Sequence, residues 1–192
     1  AAVERWAATD DSPGVLAVLD RGDDPEPWVR TPPFRRSLAD ADDLRVAERV
    51  DAVSAANAAV HRAHGDGVVH GGLSPATVLF DDPTDAVVGD WELSAALERP
   101  EASAYAAPEQ VAGEAADART DQFRLAATAY HALTGDAPTA GTGERTRPSD
   151  RDPSLPPELD DVLATATADD PDDRYESVVK FDDALRWAAF RA

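Results

Sequence analysis

"AHGDGVVHGGLSPATVLFDD", residues 63–82, decides how the rest of the chain is read. It opens at the end of a helical stretch and closes on the apolar run Thr77-Val78-Leu79-Phe80. Between them stand His70, the pair Gly71-Gly72 and the pair Ser74-Pro75, where a reactive loop could sit. The loop either does chemistry or keeps only the outline of one that would. Its neighbours decide which.

Upstream, Leu44, Ala47, Val50, Val53 and Val60 recur at or near multiples of three residues. That spacing predicts a helix over 42–64 with one apolar face, stopped by Gly65 and Gly67. Before it, residues 3–8 read as a helix tail, "GVLAVLD" as a strand, "DRGDDPEP" as a turn and "WVRTPP" as a second short strand. After the loop, "VVH", "TVLF" and "AVVGDW" read as short strands with turn residues between. A helix over 119–134 is apolar nearly all round, with Phe123, Leu125, Tyr130 and Leu133, and so belongs at the centre of a core. Residues 136–154 read as a loop, "SLPPELDDVLATATA" as a helix with proline in its first turn, and 177–190 as the last helix.

Composition removes several function classes. The chain of 192 residues has 43% hydrophobic and 29% charged residues, which describes a globular domain with a sizeable core. With no cysteine, thiolate catalysis and cysteine-held metals are excluded. His61 and His64, three apart near Asp66, read either as a metal pair or as a solvated helix end. Thirty-eight acids against eighteen bases give a net charge of -20, a poor surface for nucleic acid. Lys180 is the sole lysine. An acidic, lysine-poor surface points to a high-salt-adapted organism, where screening suppresses self-repulsion. No apolar run reaches the ~20 residues of a membrane helix, and the expected location is cytoplasmic. A start at Ala1, without Met or a signal-like segment, suits an excised domain or a processed chain.

Taken in order, the motifs resemble the protein kinase family, in its bacterial serine/threonine form. "AHGDGVVHGGLSPATVLFDD" is similar to the family's catalytic-loop segment, H-R-D-L-x-x-x-N. "VVGDWEL" resembles the strand carrying D-F-G, and "YAAPEQ" contains A-P-E as Ala107, Pro108 and Glu109. "DARTDQFRLAATAYHALTG" and "LPPELDDVLATATADDPDDRYESVVKFDDALR" resemble the central helix and the end of the C-terminal lobe. The resemblance implies a mainly α fold with a few short β strands. It divides the chain into a remnant of the N-terminal lobe, residues 1–33, and a helical C-terminal lobe, residues 34–192.

The same resemblance shows which parts of a phosphoryl-transfer site are absent. Transfer needs gripped phosphates, metal ions and a carboxylate that orients the attacking hydroxyl. That carboxylate would stand at Gly72, so no catalytic residue is assigned. The loop lysine would fall at Ser74, the second-metal asparagine at Thr77, and the loop arginine at Gly71, which leaves a phosphorylated Ser94 or Ser103 without its anchor. Asp90 holds the first-metal position, followed by Trp91 and Glu92, and is either a magnesium carboxylate or a turn cap. Asp90 and Thr77 are thus the candidate cofactor-binding pair, and Asp90 the candidate metal ligand. No Gly-rich phosphate loop precedes "GVLAVLD", and Glu4 near the helix-glutamate position has no strand lysine to match it. Four residues match structural positions of the family. They are His70 below the loop, Asp121 as acceptor of loop amides, and the ion pair of Glu109 with Arg174.

The resulting expectation is a pseudokinase with no cofactor, whose partner is a protein or a neighbouring domain. The alternatives are an atypical serine/threonine kinase, or a nucleotide sensor using ATP and magnesium. Residues 136–154 lack apolar periodicity, so the family's docking helix there is expected to be shortened or missing.

Overall fold

A computed structural model describes residues 2–9, 12–26, 28–91, 103–138 and 146–190. Its helices are α1 (Ala2–Thr9), α2 (Val46–Gly65), α3 (Pro108–Val111), α4 (Ala118–Thr134), α5 (Pro148–Arg151), α6 (Glu158–Ala166) and α7 (Val178–Phe190). Its strands are β1 (Asp20–Gly22), β2 (Trp28–Arg30), β3 (Arg36–Ser37), β4 (Val78–Phe80) and β5 (Val87–Val88). β1 and β2 form an antiparallel hairpin, and β3-β4-β5 a second small antiparallel sheet. The fold is mainly α with a few short strands.

α4 is the axle. Every residue from Thr120 to Tyr130 is buried, because α2, α6 and α7 pack around it. Polar ties fix these helices where apolar contact alone would let them slide. The Arg49 guanidinium donates to the Leu44 carbonyl (2.7 Å) and to the Ala132 carbonyl at the far end of α4 (2.9 Å). Ser54 of α2 donates its hydroxyl to Asp182 of α7 at 2.6 Å. One buried apolar cluster runs from Trp6 and Leu16 through Val53, Phe80 and Leu125 to Phe181 and Leu185. Trp6 also donates its indole N–H to the Leu16 carbonyl at 2.8 Å, which pins α1 to that cluster.

Several sequence expectations change in detail. "GVLAVLD" does not form its own strand. Val15 makes one parallel bridge to Val88, and Leu16 N–H donates to the Val88 carbonyl. By Leu19 the backbone has changed partner to Arg30. The ladder then continues as β1, inside the stretch read as a turn. "VVH" is irregular because its donors are used elsewhere. Val68 N–H closes the end of α2 on the Ala63 carbonyl (2.8 Å), and His70 N–H goes to Asp121 (2.8 Å). α2 starts at Val46 rather than 42, where Glu48 accepts the Arg45 N–H at 2.9 Å. At its other end Gly65 stays helical, and Gly67 reverses the chain at φ +75. β3, two residues long, has no period to read. Within 136–154, Pro148–Arg151 is a four-residue helix, a shortened element on the stretch read as loop. Residues 139–145 lie outside the described residues.

Phe181 is fully buried between α7 and its neighbours. Phe181→Ala is expected to lower unfolding stability by about 3–5 kcal/mol, the cost of deleting a buried ring and leaving a cavity. Urea denaturation checks this.

Candidate functional site

The loop is built on Asp121. The Asp117 carboxylate caps α4 by accepting the N–H groups of Arg119 (2.7 Å) and Thr120 (3.0 Å), which places Asp121 in the first turn. Its side chain is fully buried and reaches back to the loop. Oδ2 accepts the His70 N–H at 2.8 Å, and Oδ1 accepts the Gly71 N–H at 2.7 Å. His64 Nε2, on the last turn of α2, lies 2.8 Å from Oδ2. A buried carboxylate needs such partners, since each missing hydrogen bond would leave polar oxygen desolvated. His64 is therefore neither a metal ligand beside His61 nor part of a solvated helix end. It points inward, while His61 is exposed.

His70 has no free ring nitrogen. Gly72 N–H donates to Nδ1 at 3.1 Å, so Nδ1 is the acceptor and Nε2–H donates to the Gly89 carbonyl at 2.9 Å. Burial pushes its pKa below the ordinary 6.5, against the pull of Asp121 and Asp90 and with help from Arg124. The ring also packs against fully buried Trp91, centroids 4.8 Å apart. A neutral imidazole with both nitrogens occupied holds the loop to the Gly89 strand end and has no lone pair left to take a proton.

Gly72 is buried, carries no side chain, and spends its N–H on His70. Gly71 takes φ +71, the left-handed region open to glycine. Thr77 Oγ1 donates to the Ser74 carbonyl (2.9 Å) and accepts the Ser74 N–H (3.1 Å), a reciprocal turn. Asp90 is half-buried at φ +66, the one non-glycine residue at positive φ among the described residues. That conformation costs a residue with Cβ roughly 1–2 kcal/mol, somewhat less for aspartate, and such strain recurs at functional sites. Glu92 and Ser94 lie outside the described residues. Ser103 is described, and its hydroxyl accepts the Tyr105 N–H at 3.3 Å. Among the described residues no group of three or more His, Asp or Glu side chains converges as a metal site would require.

Two residues that sequence reasoning did not single out complete the loop. Gln110 donates its amide N–H to the Gly71 carbonyl at 2.7 Å, and its Oε1 accepts from the Ala107 N–H (3.2 Å) and Arg124 (2.9 Å). Arg124 is fully buried, and its Nε donates to the Leu73 carbonyl at 2.9 Å. The signal was there: Arg124 is a cation in a helix whose composition reads as buried, and such a group must have partners. Glu109 and Arg174 meet as a two-bond pair, both contacts at 2.8 Å. Thr120 adds a hydroxyl bond to Glu109 at 2.9 Å, and the Arg174 guanidinium lies 5.0 Å over the Phe123 ring. Burial would raise the Glu109 pKa, but the Arg174 bonds outweigh it and hold the carboxyl below its ordinary value.

A helical lobe around a buried axle, a His-Gly-Gly loop seated on an aspartate, and a Glu–Arg pair behind an A-P-E segment define a protein-kinase-like lobe. No family model matches the sequence. Serine/threonine-protein kinase PknB of Mycolicibacterium smegmatis is 29% identical over 91% of this chain and 33% of its own length. The DNA damage-responsive serine/threonine-protein kinase RqkA of Deinococcus radiodurans is 32% identical over 86% of this chain and 29% of its own. The chain thus spans about a third of the length of these curated relatives. In three dimensions it matches the crystal structure of the Mycobacterium tuberculosis PknI kinase domain with a TM-score of 0.80 and 32% identity. That match covers 96% of this chain and 75% of that one. The chain belongs to the protein kinase family.

The His70 geometry gives a pH dependence. Its folded pKa is depressed, so the unfolded chain binds this proton first as pH falls. The contribution to stability is complete above the ordinary 6.5 and is lost as pH drops toward the folded value. His131, depressed by burial in α4, adds the same sign. Urea midpoints measured from about pH 8 to about pH 5.5 should fall, and His70→Gln should flatten part of that slope.

Proposed function

We propose that this chain is a catalytically inactive, kinase-like module that works by binding a protein partner or a neighbouring domain of its parent protein. One observation carries the reading. At the loop position where the family keeps its catalytic carboxylate stands Gly72, buried and hydrogen-bonded through its own N–H to His70. A glycine cannot orient a substrate hydroxyl or accept its proton. The nearest imidazole, His70, has both nitrogens occupied and so does not substitute as a base.

The residues present fit magnesium ATP poorly. Among the described residues Asp90 is not joined by further acidic or histidine side chains in a group of three or more, so any magnesium there would depend mainly on the phosphates and water. Thr77 has its hydroxyl turned to Ser74. The sole lysine, Lys180, is on α7, three residues from Asp183, and does not sit in the loop. The protein-binding half of the reading draws on what is kept: the buried Asp121 seat and the Glu109–Arg174 pair hold the lobe's internal architecture in place. Among the described residues no helix is long and apolar enough to cross a membrane.

Incubation of the full-length protein with labelled ATP and magnesium is expected to give no phosphate transfer to itself or to a general protein substrate. Autophosphorylation that disappears in Asp90→Ala would sink the reading and favour an atypical kinase. A thermal-shift titration with ATP, with and without magnesium, separates binding from transfer. A magnesium-dependent shift without transfer would assign Asp90 to nucleotide sensing, whereas no shift is expected here.

A further inference from the structure

Between α4, α5 and α6 lies a pocket remote in sequence from the His-Gly-Gly loop. Its apolar walls come from Ala127 on α4, from Pro138, from Pro148 at the start of α5, and from Leu163 and Ala164 on α6. The space amounts to about 370 Å³ including its mouth. That stands at the small end of the roughly 300–1,000 Å³ of small-molecule sites. Ala127, Leu163 and both prolines are buried, whereas Ala164 is exposed at the edge.

The polar groups of the lining divide into two sets. Asp160 and Thr167 are already engaged. Asp160 accepts the Ser149 N–H at 3.0 Å and the Ser149 hydroxyl at 2.5 Å, and the Thr167 hydroxyl donates to the Leu163 carbonyl at 2.7 Å. Tyr130 and Arg147 are the other set. Tyr130 is 6% exposed, yet its hydroxyl has no hydrogen-bond partner among the described residues. A phenol enclosed by protein normally finds one, because an unmet O–H costs free energy. Arg147 is exposed at the rim and makes no ion pair among the described residues.

We propose that this pocket binds a small carboxylic acid in its ionised form. The aliphatic or aromatic body lies against Ala127, Leu163 and the two prolines, the carboxylate pairs with Arg147, and the Tyr130 hydroxyl donates to the ligand. Charge selects this class. A chain of net charge -20 repels anions over most of its surface, so an anion site needs a cation that its own acids have not neutralised. Arg36, Arg45 and Arg174 are each paired with a carboxylate, and Arg147 is not. A cationic ligand is served less well, because the one carboxylate in the lining, Asp160, already has both oxygens accepting from Ser149. A wholly apolar ligand leaves the Tyr130 hydroxyl unmet and Arg147 unused.

Ligand-observed NMR titrations of the full-length protein with hexanoate, hexanol and hexylammonium, at one ionic strength, test this. Hexanoate is expected to bind with a dissociation constant on the order of 1 mM, and the alcohol and the amine about tenfold more weakly. Arg147→Gln should weaken hexanoate about tenfold and leave hexanol unchanged. Tyr130→Phe should also weaken hexanoate. Ala164→Phe, at an exposed position, should block entry of every probe, and thermal melts confirm that each variant is folded. No hexanoate binding up to about 50 mM overturns the proposal. Hexanol binding as tightly as hexanoate overturns it too, by giving the pocket to an uncharged apolar group, and tighter hexylammonium binding does so by making Asp160 the contact. Hexanoate affinity unchanged in Arg147→Gln also overturns it. The phosphate-transfer reading stands or falls separately, since none of these residues lies in the loop.

Discussion

Asp121 puts a carboxylate where no water reaches it, and the geometry of the candidate site depends on how that group is satisfied. Two of its bonds come from consecutive loop amides, and a third contact comes from His64 at the end of α2. One side chain therefore ties α4, α2 and the His-Gly-Gly loop together. His70 then extends the tie from the loop to the Gly89 carbonyl, and Gln110 extends it to the A-P-E segment. Loss of the carboxylate would strand buried donors in several elements at once, which is more costly than losing an isolated bond.

The second anchor works by a different principle. Glu109 and Arg174 are buried ions, and their mutual attraction must offset the desolvation of both. Two parallel bonds at 2.8 Å, the Thr120 hydroxyl and further Arg174 bonds to the Ala168 and Arg119 carbonyls supply that offset. The pair joins α3 to the loop before α7 across 65 residues of sequence, so it closes the lobe as a staple would. Arg124 is the intermediate case. Its cation lies beneath the loop and binds the Leu73 carbonyl and Gln110, filling the space under the loop with charge-assisted bonds that stop short of any reacting group.

What the sequence made legible follows from the range of each interaction. α2 and α4 were readable because a long helix repeats its apolar face several times. β3 was not, since two residues carry no period. "GVLAVLD" misled for a related reason: its apolar run is real and buried, but a strand needs a continuous partner, and here the partner changes from Val88 to Arg30. At the site, Asp121, Glu109, Arg174 and His70 could be named through motif order. His64 was misjudged, because spacing along one helix says nothing about an aspartate 57 residues away. Gln110 went unnoticed because its bonds, to the Gly71 carbonyl, the Ala107 N–H and Arg124, follow no sequence pattern, whereas Arg124 could have been singled out as a cation in a helix read as buried.

The loop separates the determinants of path from the determinants of chemistry. Its path is set by backbone N–H groups of His70, Gly71 and Gly72 and by carbonyls of Gly71 and Leu73, all of which exist whatever side chains the glycines carry. Chemistry would depend on one side chain at position 72, which contributes nothing to those bonds. A carboxylate can thus be lost there without loosening the loop, and Gly71, at φ +71, fits that path with less strain than an arginine would. The bonds that hold the loop therefore do not call on a side chain at position 72, while they do call on Asp121. On the proposed reading, a loop that keeps its path without a carboxylate at that position is the outcome this division of labour allows.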